Sequence, residues 1–70
     1  MSYGIFEVLD RRNFGDVITL RFRSYAGADG RHSYPTIQEA EQQRAALGDI
    51  GRRLDVIAAV PLRGGGCLPL

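Results

Sequence analysis

Residues 17–25 read VITLRFRSY, and this stretch decides the fold class. Apolar and polar side chains alternate along it: Ile18, Leu20 and Phe22 take turns with Thr19, Arg21 and Arg23. A period of two is typical of a β-strand that has one apolar face and one polar face. We therefore predict a half-buried strand over Val17–Tyr25, with its arginine face turned towards solvent or a partner.

Further strand signals flank this stretch. Tyr3–Leu9 is rich in β-forming residues and predicts a first strand, which a turn over Arg11–Gly15 interrupts. Beyond Tyr25, Asp29 and Gly30 form a pair that favours a two-residue hairpin. We therefore predict a short edge strand over Arg31–Tyr34 that folds back on the strand before it.

A helix with well-marked ends follows over Thr36–Leu47. Thr36 and Glu39 have the spacing of a capping box, and Gly48 suits a left-handed C-terminal cap. The helix has a thin apolar face, which favours packing as a lid on a sheet. Leu54–Leu62 is apolar on both faces and predicts a central last strand that ends at Pro61.

The predicted order β-β-(β)-α-β indicates an α+β fold: a small single-layer antiparallel or mixed sheet with one helix packed on one face. We interpret residues 1–63 as a single α+β domain and residues 64–70 as a flexible Gly-rich C-terminal tail. The apolar residues on both sides of the first and last strands favour a covered second sheet face. A partner, or a second copy in a homodimer, would cover it.

Composition narrows the function classes. The 70 residues carry a net charge of +1, so no strong basic field favours nucleic acid, although all nine basic residues are arginine. One cysteine excludes an internal disulfide, and one histidine with one cysteine is too few for a closed metal site. With no apolar run long enough to span a bilayer and no signal-peptide pattern, we expect a cytoplasmic protein with no membrane association and no cofactor.

No set of residues in the sequence has the pattern of an active site. His32, Ser33 and Asp29 resemble a catalytic triad only in composition, because neighbours in sequence rarely converge on a substrate. Cys67 has no histidine nearby and is interpreted as an inert tail cysteine. The glycines at 64–66 lack the Lys-Ser/Thr of a phosphate-binding loop. We therefore predict that the protein is not an enzyme, with no catalytic residue and no small-molecule substrate.

One short resemblance lies near the C-terminus. Leu62-Arg63-Gly64-Gly65 resembles the C-terminal end of ubiquitin and its relatives, over four of the 70 residues. The resemblance implies a ubiquitin-like modifier with a tail that is cleaved after Gly65. A β-β-α-β order is compatible with part of a β-grasp fold, but the segment before the helix is long and five residues follow Gly65. A plain flexible tail is the alternative.

Arginine and aromatic residues supply the candidate contact residues. One group comprises Arg21, Arg23, Tyr25 and Arg31, and the other comprises Arg11, Arg12 and Phe14. Arginine and tyrosine on an exposed sheet face suit a protein interface, and they also suit a platform for single-stranded nucleic acid. The third interpretation is a solvated face that pairs with Glu7 across the strands.

These observations favour a small protein-binding regulator or inhibitor. Near-neutral charge favours a protein partner over nucleic acid, which remains the alternative. Small α+β proteins without catalytic residues are commonly encoded by phages and mobile elements as stoichiometric inhibitors of host machinery, anti-CRISPR proteins among them. This expectation comes from size and class, and no motif links the chain to such a family.

Overall fold

The computed structural model describes the backbone of residues 1–70 and all side chains except those of Thr19 and Leu20. Its elements are β1 (Ser2–Phe14), β2 (Val17–Tyr25), α1 (Ile37–Ala45), a 3-10 turn (Gly51–Arg53), β3 (Asp55–Pro61) and β4 (Cys67–Pro69). The four strands form one antiparallel sheet in the order β2-β1-β3-β4. The predicted α+β class is confirmed, as is the interior position of β3.

The first strand is longer than predicted. β1 continues through the expected turn at Arg11–Gly15, and the chain reverses only at Gly15 and Asp16. Gly15 has a φ of +61° at the first turn position, where a type II′ hairpin needs it. The polar residues before Phe14 are compatible with a strand there because they are exposed to solvent. The prediction of a turn at Arg11 was wrong for this reason.

The predicted third strand over Arg31–Tyr34 does not form. The loop after β2 closes on itself, with Gly27 N–H donating to Arg31 O at 2.9 Å. Tyr34 then pairs with Tyr3 of β1 through two backbone hydrogen bonds of 2.8 Å. Tyr34 is only 1% exposed, so burial of its ring under the helix, and not the local turn signal, places this segment.

The helix begins where the capping box predicted. The Thr36 hydroxyl accepts a hydrogen bond from Glu39 N–H at 3.2 Å, and α1 then runs over Ile37–Ala45. It ends two residues earlier than predicted, and a series of turns carries Leu47 and Gly48 onward, Gly48 with a φ of +71°. The helix lies as a lid against the sheet, as predicted.

Two apolar clusters lie on opposite sides of the sheet. The cluster under the helix comprises Ile5, Tyr34, Ala40 and Leu54, with Tyr3, Tyr25, Leu47 and Val56 packed against it. The cluster on the other side comprises Phe6, Ala59 and Cys67, with Phe22 and Ile57 packed against it. Alternate residues of β1 thus supply both clusters, because side chains along a strand point to opposite faces.

The second sheet face is covered by the protein itself. The sheet curls so that its two edge strands, β2 and β4, approach each other over the Phe6 cluster. Phe6 and Phe22 meet there edge to face, with ring centroids 6.1 Å apart. The expectation that another chain must cover this face is therefore wrong for its central part, since curling encloses Phe6, Ala59 and Cys67 within one chain.

The C-terminal residues are part of the sheet. Residues 64–66 form a glycine turn with positive φ values, closed by Leu62 N–H donating to Gly66 O at 3.1 Å. β4 follows and pairs with β3, and Cys67 is buried. The interpretation of residues 64–70 as a tail missed this strand because three glycines suit a tight turn as well as a flexible segment.

Candidate functional site

The β1–β2 hairpin extends beyond the rest of the sheet. β1 pairs with β3 only over Ser2–Phe6, so from Glu7 onwards it has β2 as its one strand neighbour. We call residues 7–23 the hairpin arm. At about 3.4 Å per residue the arm is roughly 25 Å long, in a molecule whose longest dimension is 39 Å. A two-stranded hairpin without a covering layer is marginal in water, which makes its surface notable.

The arm exposes large apolar side chains. Phe14 is 65% exposed, Val17 60% and Ile18 53%, and Val8 and Leu9 are also exposed. Of the described side chains on the predicted half-buried face of β2, Ile18 is exposed and Phe22 is partly buried against Phe6. Ile18 remains exposed because neither β3 nor the helix reaches this part of the hairpin. The side chains of Thr19 and Leu20, which we assigned to the two faces, lie outside the description.

One face of the arm carries charges of both signs. Glu7 lies opposite Arg23, and Asp10 lies opposite Arg21. A bulge between Val8 and Asp10 shifts the register by one residue, which brings Asp10 onto the same face as Glu7. We call this the arginine face. As predicted, Glu7 lies across the strands from an arginine. Among the described residues, however, no ion pair within 4.0 Å joins Glu7 to Arg23 or Asp10 to Arg21.

The predicted contact residues divide into two places. Arg23 lies over the Tyr25 ring at 5.2 Å, and Arg12 pairs with Asp10 at 2.9 Å, both along the arm. Arg11 and Phe14 are exposed near its tip. The arm thus brings together five of the seven candidates, Arg11, Arg12, Phe14, Arg21 and Arg23, and Tyr25 lies just beyond it on β2.

Arg31 lies elsewhere, in the loop between β2 and α1. Its guanidinium stacks on the Tyr34 ring at 4.8 Å, bonds Asp29 at 2.8 Å and approaches Glu39 at 4.0 Å. A hydrogen bond from the Tyr34 hydroxyl, supported by Arg31, lowers the pKa of Asp29 to about 2. Burial, and then the Asp29 contact, raises the pKa of Tyr34 to about 12. Arg31 therefore stabilises its own loop, and the hairpin that was to carry it towards Arg21 is absent.

The histidine takes part in closing the curled sheet. His32 Nδ1 lies 3.1 Å from the Ser24 hydroxyl of β2, and its backbone oxygen accepts from the Cys67 thiol of β4 at 2.9 Å. Asp29 bonds Tyr34 and Arg31 instead, so the composition that resembled a triad is not assembled. Burial raises the pKa of Cys67, which keeps the thiol protonated. The Ser24 contact had no signal in the sequence, because Ser24 and His32 are eight residues apart in different elements.

A groove lies at the base of the arm, on the side of the arginine face. Its volume is about 260 Å³, and it is lined by Glu7, Tyr25, Asp49, Ile50 and Arg53. The last three residues come from the turns after α1. No signal in the sequence pointed to them, because only the packing of the helix brings this segment against the arm.

Comparison with protein-family models, with curated proteins and with solved structures gives no match. Among the described residues, no helix is long and apolar enough to cross a membrane. In the same part of the chain, no group of three or more His, Cys, Asp or Glu residues is placed to hold a metal ion. The functional assignment therefore rests on the geometry of the hairpin arm.

Proposed function

We propose that this protein is a small, non-enzymatic protein-binding regulator or inhibitor that contacts its partner through the hairpin arm. The observation that carries the proposal is the exposure of Phe14, Val17 and Ile18 on a projecting hairpin. Phe14 and Val17 lie opposite each other on the arginine face, and exposed apolar side chains that adjoin in this way mark interaction surfaces on small proteins. Arginines flank them on both strands, and arginine with aromatic residues dominates the energetics of protein interfaces.

The charge pattern of the arm favours a protein partner over nucleic acid. The arm carries four arginines and three carboxylates, so its net charge is only +1. Glu7 and Asp10 lie directly opposite Arg23 and Arg21, which interrupts the positive potential that a phosphate backbone requires. A protein surface of mixed charge has the matching chemistry, since electrostatic complementarity there fixes register and excludes wrong partners.

Recovery of the partner from a native-host lysate, with and without nuclease, tests the apolar part of the arm. The arm variant is Phe14→Ser with Val17→Ser. Its matched control is Val60→Ser with Leu68→Ser, which removes exposed apolar side chains on β3 and β4. We expect one stoichiometric protein partner with the wild type and with the control, nuclease-resistant in both, and loss of that partner with the arm variant. Retention by the arm variant contradicts the proposal.

A charge reversal tests the arginine face. Arg21→Glu with Arg23→Glu should keep the circular dichroism spectrum of the folded protein, because both side chains are exposed, and should lower the Tm, because the new glutamates lie opposite Glu7 and Asp10. We expect the partner to be lost. The matched control is Arg52→Glu with Arg63→Glu, an equal change of charge at exposed positions away from the arm. If nuclease treatment abolishes recovery of the partner and nucleic acid co-purifies with the protein, the nucleic-acid alternative replaces this proposal.

A further inference from the structure

We propose that the outer edge of β2 binds an extended segment of the partner as an added antiparallel strand, and that this segment alternates acidic with apolar residues. The inference rests on the proposed function, because it names the way in which the hairpin arm binds. Strand addition draws its affinity from backbone hydrogen bonds and its specificity from alternate side chains. Both are set out along β2.

The backbone pattern shows which groups of β2 face outward. Tyr3 exchanges two hydrogen bonds with Tyr34 on the β2 side of β1. Hydrogen-bonded pairs alternate with non-bonded pairs along an antiparallel ladder. The odd-numbered residues of β2 are therefore the ones whose backbone groups bond to β1. The two-residue turn at the tip of the hairpin leads to the same assignment, because Phe14 and Val17 flank it as a hydrogen-bonded pair. The N–H and C=O groups of Ile18 and Phe22 therefore point away from β1.

β2 is the edge that is open to an added strand. Over the described residues no strand lies outside it, and it contains no proline. The opposite edge, β4, is three residues long and ends with Pro69, two features that protect an edge from pairing. The base of β2 is covered where Ser24 contacts His32, so the open part is about seven residues, Val17–Arg23.

The side chains of β2 specify the partner. Arg21 and Arg23 lie on one face, and residues 17–25 contain no carboxylate. Ile18 and Phe22 lie on the other face. Residues directly opposite each other on antiparallel strands share a face, with Cβ atoms about 5 Å apart, and opposite charges there are stabilising. The strand that complements β2 therefore places carboxylates opposite the two arginines and apolar groups opposite Ile18 and Phe22.

The same charges disfavour a second copy of the chain. Two β2 edges paired together would place four arginines on one face, and neither edge strand would contribute a carboxylate. Like charges on neighbouring strands are destabilising. An acidic segment is therefore the occupant that the edge fits.

Two designed peptides test the charge preference. Each has eight residues with capped ends and a fluorescent label; one alternates glutamate with valine and the other alternates lysine with valine. Fluorescence anisotropy should show that the glutamate peptide binds the wild type about tenfold more tightly or better, because two charged pairs change sign. Arg21→Glu with Arg23→Glu should reverse the preference. Equal affinity for the two peptides overturns the inference.

A proline variant tests the edge itself. Ile18→Pro removes an outward N–H that the β1 ladder does not use, whereas Ile18→Ala removes the side chain and keeps that N–H. Circular dichroism first confirms that both fold. We expect Ile18→Pro to abolish binding of the glutamate peptide and Ile18→Ala to retain most of it. With the wild type, the peptide should also protect the Ile18 and Phe22 amides from hydrogen exchange.

The remaining outcomes separate this inference from the proposed function. Equal peptide affinities of Ile18→Pro and Ile18→Ala overturn strand addition. If neither peptide binds while Arg21→Glu with Arg23→Glu still loses the native partner, the inference is overturned and the proposed function stands. If sedimentation shows a wild-type dimer that Ile18→Pro dissociates, the occupant of the edge is a second copy, which also overturns the inference.

Discussion

At the scale of single residues, Tyr34 holds the loop between β2 and α1 in place. Its ring is buried under the helix, and its hydroxyl donates to Asp29 Oδ1 at 2.7 Å and lies 3.0 Å from Arg31 O. Gly27 is required beside it, because a Cβ at that position would overlap the Tyr34 hydroxyl. One aromatic side chain therefore connects the loop to the sheet and to the helix.

Removal of the Tyr34 hydroxyl should destabilise the protein while the ring stays packed. We expect Tyr34→Phe to lower the free energy of unfolding by about 1 kcal/mol, since a part-buried hydrogen bond to a charged group is lost. Urea denaturation measures this change. Tyr3→Phe is the control, because the Tyr3 hydroxyl contacts only the exposed Met1 sulfur among the described residues, and an equal loss there would argue against a specific role for Tyr34.

The same cluster predicts a loss of stability in acid. The pKa of Asp29 is about 2 in the folded protein and near 3.8 when unperturbed, so folding favours the carboxylate. The stabilisation is fully present above the unfolded pKa and is lost as the pH falls from about 4 towards 2. The Tm of the wild type should fall through this window, and Asp29→Asn should flatten the fall. A parallel fall in the two proteins would contradict this account.

At the scale of elements, α1 and the hairpin arm are the two that packing supports least. α1 buries only Ala40 fully, so its capping interactions carry a large share of its stability. The arm has no covering layer beyond Phe22 and depends on its own cross-strand pairs. The two elements differ in what they offer a partner, because α1 is largely polar whereas the arm exposes apolar side chains.

Loss of the helix cap should have a measurable cost. Thr36→Ala removes the hydroxyl that accepts from Glu39 N–H, and we expect the free energy of unfolding to fall by about 1 kcal/mol. Thr36→Ser keeps the acceptor and should lie within about 0.5 kcal/mol of the wild type. Chemical denaturation compares the three proteins. Equal losses in the two variants would show that the hydroxyl does not cap the helix.

At the scale of the whole molecule, a curled sheet replaces the second layer that a chain of this size cannot supply. β2 and β4 approach each other, and His32 contacts Ser24 on one strand and Cys67 on the other. This closure buries Phe6 and Ala59 in a chain whose single cysteine excludes an internal disulfide. The hairpin arm is what remains outside the closed region, and its exposed surface is thus a consequence of the architecture.

Removal of β4 should open this closure. A variant ending at Gly65 loses Cys67 from the core, and we expect the free energy of unfolding to fall by roughly 2–3 kcal/mol, the value of a buried side chain. The full-length control Leu68→Ser changes an exposed side chain of β4 and should lie within about 0.5 kcal/mol of the wild type. Equal stability of the shortened and complete chains would show that β4 is dispensable.

Local patterns in the sequence predicted the elements that depend on near neighbours. The alternation of residues 17–25 located β2, and Thr36 with Glu39 located the start of α1, because strand faces and helix caps are set within a few residues. Most of the candidate contact residues of the arm were also predicted from the sequence, because these arginines and an aromatic residue lie outside the expected core. The exposure of Ile18 was not visible, because alternation shows a face and not what covers it.

Tertiary structure alone decided the positions that depend on distant partners. Tyr34 pairs with Tyr3 of β1, and Arg31–Tyr34 forms no hairpin with β2, because Tyr34 is buried beneath a helix formed later in the sequence. Cys67 lies in the core because the curl brings β4 to Phe6, and Ile50 lines the groove because the helix carries it to the arm. Long-range burial outweighs local strand preferences, which span about 1 kcal/mol, so these placements required the folded chain.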